Sequence, residues 1–349
     1  MNLQVTIEKI VPPDRAAAEA AWRHWDSLAK PLRSLGKLEK GVVQIAGIRG
    51  TPRVRCDRKA LLVFCADNGV VEEGISQSGQ DVTAIVAENF LDDRTCTAIM
   101  ARECGADLFP IDIGMAVDTR VNREDKIAYG TKNFAKEPAM TREQAVAAIE
   151  AGIRWAEKCH ARGYDILATG EMGIGNTTTS SAVTSVLLGV PVETVTGKGA
   201  GLSDAGLQKK IRVIRDAVER LRPDPQDALD VLSKVGGLDI AGMAGVFLGG
   251  AALHLPVVID GFISGTAALV AQRLCPLSRE YMMASHISGE PAGAMLLEAL
   301  GMDPWLHCEM RLGEGSGAVA MFPILDMAVK VYYSMATFDE TEIETYVPL

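Results

Sequence analysis

Apolar residues in this chain recur with two different spacings, and the spacings divide it into regions. From Asp14 to Lys30, Ala17, Ala20, Trp22, Trp25 and Leu28 fall at helical intervals, and Leu32 to Ile48 reads as a second helix. No strand pattern precedes Lys59. KALLVFCAD (Lys59–Asp67) is then a near-continuous apolar run, as expected of a strand covered on both faces. Beyond it the pattern predicts a helix from Gln80 to Leu91, another ending at Glu103, and a strand at ADLFPIDIG (Ala106–Gly114). Thr141 opens a further helix with a capping box completed by Gln144, and Gly163 closes it. YDILATGE (Tyr164–Glu171) and LPVVIDG (Leu255–Gly261) read as strands. Helices are expected from Thr177, over Asp204–Leu221, from Ser264, and from Gly315 to Ala336.

Strands alternating with helices predict an α/β fold with a mostly parallel sheet flanked by helices. The strand-free ends predict a small helical domain, 1–52 with 325–349, beside a large α/β domain, 53–324, that carries the active site. The longest apolar stretch, Ile240–Ile259, contains His254, Pro256 and many glycines and alanines. It reads as a buried helix running into a strand and not as a membrane span.

Composition narrows the function. Net charge is −10 with no long basic run, and aromatic residues make up 5%. Nucleic acid is therefore not expected as a partner, because a phosphate backbone needs a positive face. Any phosphate bound here is held locally, by backbone N–H groups. The seven cysteines form no CxxC pair, which predicts reduced thiols in a cytoplasmic protein. The five histidines form no HxxxH or HExxH pair, so no metal is expected, and no GxSxG nucleophile elbow is present.

Ligands of parallel sheets sit at the carboxyl ends of the strands, and four segments with chemistry fall there. GEMGIGNTTT (Gly170–Thr179) follows a strand and opens a helix. Its glycines admit a close ligand and the helix start offers free N–H groups to a phosphate, or the segment is simply a well-capped turn. TGKGAGLSD (Thr196–Asp204) is a second glycine loop, for phosphate or ribose or as a plain connection. In DGFIS (Asp260–Ser264) the acid is placed for ribose hydroxyls, and Ser264 for capping the next helix. In MRLGEGSGA (Met310–Ala318), Glu314 stands between glycines ahead of an apolar helix. It is either an ordinary helix-start acid or, in an apolar cleft, a carboxylate whose pKa rises toward that of a general base.

With these segments in this order, nearly the whole chain resembles the nicotinate-nucleotide:dimethylbenzimidazole phosphoribosyltransferase family. KPLRSLGKLE (Lys30–Glu39), CADNGVVEEGIS (Cys65–Ser76) with QDVT (Gln80–Thr83), GEMGIGNTT, GKGAGLSDAG, KVGGLDIAGMAG (Lys234–Gly245), VIDGFIS, ASHISGE (Ala284–Glu290) and MRLGEGSGA stand in the family's order. Asn68 replaces a frequent His, Leu32-Arg33 a Pro-Gly, and Ala294 a His found in some members.

The resemblance implies a Rossmann-like sheet, a homodimer, no metal or organic cofactor, and one reaction. Nicotinate mononucleotide and 5,6-dimethylbenzimidazole would give α-ribazole 5′-phosphate and nicotinate, with inversion at the anomeric carbon. Glu314 is then the general base, and Glu171 is expected to stabilise the cationic ribose. Gly173, Gly175, Asn176, Thr177, Thr178, Gly199, Gly201 and Lys210 are assigned to the phosphate and ribose, with Asp260 and Ser288 on the ribose hydroxyls. Ser78 and Gln80 are expected to line the base pocket, with Met310 and Leu312 as its apolar walls or as core. Three alternatives are weighed. A relative using the same chemistry on adenine or a phenol differs only in its acceptor. A nicotinamide-dependent dehydrogenase lacks its dinucleotide fingerprint here. A non-catalytic nucleotide-binding protein would never release nicotinate.

Overall fold

The computed structural model describes residues 1–344 and Tyr346. The expected helical domain therefore ends, at Thr345 and residues 347–349, outside the described residues. Three helices, α1 (Leu3–Lys9), α2 (Arg15–Ser27) and α3 (Lys37–Arg49), precede the first strand, β1 (Lys59–Ala66). Helices α4 (Asp81–Leu91) and α5 (Cys96–Glu103) lead to β2 (Ala106–Gly114), and α6 (Arg142–Ala161) leads to β3 (Ile166–Met172). Five helices follow: α7 (Asn176–Leu188), α8 (Val192–Val195), α9 (Asp204–Leu221), α10 (Ala228–Val235) and α11 (Leu238–Ala252). The chain then forms β4 (Val257–Ile259), α12 (Phe262–Leu274), β5 (Met282–Ala284), α13 (Gly293–Leu300) and α14 (Ser316–Ser334).

The five strands pair in parallel in the order β2-β1-β3-β4-β5. Every carboxyl end thus lies along one edge, and the order reverses between β1 and β3, where ligand crevices open in such sheets. One face packs against α6, α11 and α12 through Phe64, Ile149, Val246 and Leu269. The other packs against α2, α3, α5 and α14 through Trp25, Ile45, Val63 and Phe322. All eight residues of β1 are buried, as its near-continuous apolar run requires.

Local chemistry sets the boundaries. The Asp14 side chain accepts the Ala17 N–H at 3.0 Å, so α2 starts one residue later. Thr141 and Gln144 make the full capping box on α6. The expected second helix begins at Lys37 and not at Leu32, because Arg33 and Gly36 turn left-handed (φ 59° and 58°). The turn they form is pinned by a buried ion pair, Lys30 Nζ to Glu39 Oε1 at 2.6 Å, and the same oxygen accepts the Leu35 N–H. The strand expected over Leu255–Gly261 shrinks to three residues, since Leu255 N–H still returns to Gly250 of α11.

Helix α7 is rich in Thr and Ser yet almost wholly buried. Thr179 donates back to the Asn176 carbonyl and Ser181 to the Thr177 carbonyl, which satisfies these two, while the buried hydroxyls of Thr178 and Ser180 have no partner among the described residues.

Candidate active site

A cavity of about 260 Å³ opens at the carboxyl ends of β3, β4 and β5, between the starts of α7 and α14. One end is built for an anion. Gly175 adopts φ 93° and lets α7 start with its first turn facing the cavity. Lys210, on the buried face of α9, reaches the same place. Its Nζ donates to Thr177 Oγ1 at 2.8 Å and to the Gly197 carbonyl at 3.1 Å. Burial lowers its pKa to about 8, opposed by the nearby Glu290 carboxylate. A second negative group arriving there would raise it again. Glu290 is itself pushed up by burial.

The floor carries acids. Asn176 Nδ2 donates both to Glu171 Oε2 and to Asp239 Oδ2, the latter at 3.0 Å. Both acids are buried side by side. Burial, then the charge of Asp239, pushes Glu171 up to about 8, while burial pushes Asp239 to about 6. Their shared burial favours a protonated form of the pair.

Glu314 sits over Glu171. Its backbone N–H donates to Glu171 Oε1 at 3.4 Å. Glu314 holds φ 62°, between Gly313 and Gly315 at φ 88° each, so three successive residues are left-handed. Such a conformation costs a glutamate of order 1 kcal/mol or more and persists only where its surroundings enforce it. Asp260 is the main enforcer: its carboxylate accepts the N–H groups of Gly315, Gly317 and Ala318 at 3.2, 2.7 and 3.2 Å. The Glu314 side chain lines the cavity. Burial raises its pKa, countered chiefly by the Thr97 hydroxyl and backbone N–H at the start of α5.

The cavity gathers most of the expected site: Glu171, Gly173, Gly175, Asn176, Thr177, Gly199, Lys210, Asp260, Ser288, Leu312 and Glu314 all line it. Five expected residues do not. Thr178 is one helical step past Thr177 and turns into the core. Gly201 stands outside the wall, where its carbonyl accepts the Gln77 amide. Ser78 lies beyond the segment that forms the wall, and Gln80 spends its amide on the Asn68 carbonyl. Met310 does not line the cavity, and its carbonyl accepts the Gly289 N–H at 2.8 Å. Asp260 lines the cavity, but its oxygens are engaged by the start of α14. Ser264 is not a helix cap. It lies inside α12 and accepts the Asp260 N–H at 3.1 Å.

Sequence reading missed Ser76 and Gln77, which form the wall in place of Ser78 and Gln80. It also missed Met172, Phe262, His286, Glu290 and Arg311. His286 and Glu290 lie within the ASHISGE segment, so a signal for the region existed though not for the residue. Among the described residues no group of three or more His, Cys, Asp or Glu is arranged to hold a metal. No described helix is long and apolar enough to cross a membrane.

A phosphoribosyltransferase family model matches residues 10–343, and the chain belongs to that family of enzymes. The nicotinate-nucleotide–dimethylbenzimidazole phosphoribosyltransferase of Acetivibrio thermocellus is 50% identical over 330 residues, 93% of each chain. That of Ruminiclostridium cellulolyticum is 48% identical over the full length of both. The crystal structure of CobT from Thermus thermophilus superposes with a TM-score of 0.89 at 38% identity, over 94% of this chain and 99% of that one.

Proposed function

We propose that this enzyme transfers phosphoribose from nicotinate mononucleotide to 5,6-dimethylbenzimidazole, giving α-ribazole 5′-phosphate and nicotinate for cobalamin synthesis. The relatives bearing that name support the substrates. The observation that carries the chemistry is that Glu314 and the Lys210–Thr177 anion end share one cavity.

The phosphate docks at the start of α7, beside Lys210, Thr177 and Gly199. Nicotinate leaves from a pyridinium, so the electrons of the broken C–N bond neutralise its ring nitrogen and no acid is needed. Positive charge grows on the ribose instead. Glu171 faces that charge, and the neighbouring cation favours its carboxylate form. The benzimidazole nitrogen attacks from the opposite face, which inverts the anomeric carbon. Its other ring nitrogen passes its proton to Glu314. Much of the rate comes from holding sugar and base in line.

The division into an α/β body, 53–324, and a helical annex, 1–52 with 325–349, belongs to this reading, as do a homodimer and a cytoplasmic setting for its unpaired thiols. Chromatography after mixing the protein with nicotinate mononucleotide and dimethylbenzimidazole tests it. Formation of α-ribazole phosphate with equal nicotinate supports the proposal. Binding without nicotinate release, or transfer only to adenine or a phenol, refutes it.

A further inference from the structure

The chain leaving β5 runs extended along the cavity. His286 bridges in parallel to Leu306, and the N–H groups of Ile287 and Gly289 donate to the Leu306 and Met310 carbonyls at 3.2 and 2.8 Å. An extended segment turns every second side chain the same way. His286, Ser288 and Glu290 accordingly line the cavity, and Ile287 and Gly289 do not. The strip has two ends. Glu290 packs on Gly197 beside Lys210, at the anion end. The His286 ring packs on Gly317 in the first turn of α14, so close that a side chain at 317 would overlap it.

Hydrogen bonds fix which ring nitrogen of His286 carries the proton. Ser285 Oγ lies 3.0 Å from His286 Nδ1 and 3.1 Å from the Asp260 carbonyl oxygen. A carbonyl only accepts, so the single Ser285 proton goes there and Nδ1 must donate to Oγ. The neutral ring therefore shows a bare lone pair at Nε2. Nε2 has no partner among the described residues. It stands near Ser288 Oγ: a methyl on Gly261, itself a wall residue, would lie 3.6 Å from the one and 3.5 Å from the other. Ser288 Oγ accepts the Glu290 N–H at 3.3 Å, which leaves its own proton free. An acceptor and a donor thus flank one spot on the cavity wall.

We propose that His286 selects the sugar: its Nε2 accepts the proton of one ribose hydroxyl of the mononucleotide, whose oxygen accepts from Ser288. This rests on the proposed reaction and adds to it the group that tells ribose from deoxyribose. Asp260 does not serve, because its carboxylate holds the start of α14. A hydroxyl pairs with both an acceptor and a donor, whereas an analogue lacking it leaves both unpaired and is rejected for that reason.

Calorimetric titration of the full chain with nicotinate mononucleotide and its 2′-deoxy and 3′-deoxy analogues tests this without turnover. His286→Asn keeps a polar group near the Nδ1 position and drops Nε2, whereas His286→Gln can place an amide oxygen where Nε2 stands. His286→Asn is expected to weaken the mononucleotide about 5- to 10-fold, the size of one hydrogen bond. It should bind one of the two deoxy analogues as well as the wild type does, since the hydroxyl that Nε2 would hold is missing there. His286→Gln should recover the preference for ribose. If His286→Asn does not fold by thermal melt, His286→Phe, which keeps the flat ring, takes its place. Equal weakening of all three ligands would reduce His286 to packing on Gly317 and overturn the proposal, as would unchanged binding of the mononucleotide. A wild-type chain that binds none of the three would overturn the underlying reaction, and this inference with it.

Discussion

Asp260, just past the end of β4, accepts the backbone N–H of Gly317 at 2.7 Å and so fixes the first turn of α14. Gly315 and Ala318 donate to the same carboxylate. Asp260→Asn would set an amide NH₂ against one of these N–H groups. A buried donor left without an acceptor costs about 1–3 kcal/mol. The variant is expected to melt at lower temperature and to lose at least ~10-fold in kcat as Glu314 drifts. Steady-state kinetics beside a thermal melt measures both, and wild-type turnover would separate Asp260 from the placement of Glu314.

Removing the Glu314 carboxylate leaves the anion end intact. Glu314→Ala should bind the mononucleotide normally, fold normally and lose ~10²–10⁴-fold in turnover. In the wild type, burial raises this carboxylate above the ordinary glutamate value. The base must be ionised, so activity should fall on the acid side at a higher pH than for an exposed glutamate. A pH–rate profile for kcat locates that limb.

Glu171 predicts a stability effect with a definite sign. Its pKa rises from 4.5 unfolded to about 8 folded. The folded state therefore keeps the proton longer. Its contribution is fully present below 4.5 and is lost as pH rises toward about 8. Glu171→Gln cannot ionise. Its melting temperature relative to wild type should climb steadily between pH 5 and pH 8, as scanning fluorimetry across that range would show. A constant difference would mean that Glu171 does not titrate there.

Lys210 directs its ammonium to Thr177 and the Gly197 carbonyl at the anion end. Lys210→Met keeps the stem and removes the ammonium. KM for nicotinate mononucleotide should rise by ~10-fold or more, the scale of a charge-assisted hydrogen bond, with a smaller change in kcat. KM for dimethylbenzimidazole should stay within about twofold.

The Lys30–Glu39 pair makes a structural prediction far from the chemistry. Glu39 is fully buried and Lys30 nearly so. Losing one partner strands the other charge, which costs about 3–5 kcal/mol, whereas replacing both by apolar residues costs far less. Urea unfolding of Glu39→Ala, set beside a Lys30→Met/Glu39→Leu double variant, distinguishes the two cases.

Elements with their own local signals were legible in the sequence. The capping box of α6 and the amphipathic span of α9 lie where the pattern placed them. β5 was not, because three residues carry no period and its pairing with β4 is a tertiary fact. The seven-residue α1 was missed for the same reason: it holds through an Asn2 cap and contacts with α6 and α11. Glycine loops declared the anion end, since Gly175 and Gly199 take left-handed turns that other residues avoid. Roles set by distant partners were hidden. Asp260 looked like a ribose ligand at a strand end, but the N–H groups it accepts lie 55 to 58 residues onward. Ser78 and Gln80 were chosen within the right segment, two or three positions past the residues that turn inward.

The helix that begins beside Glu314 ends against the N-terminal helix α2. Tyr332, near its far end, packs edge-on against Trp25 and His24 and donates to the Pro52 carbonyl at 3.1 Å. A helix of 19 residues is about 28 Å long. The N-terminal helices thus grip one end of a rod whose other end carries Glu314. Slack introduced at Trp25 or Tyr332 is therefore felt as lost turnover, and a screen for inactive variants will collect lesions there that never touch the substrate.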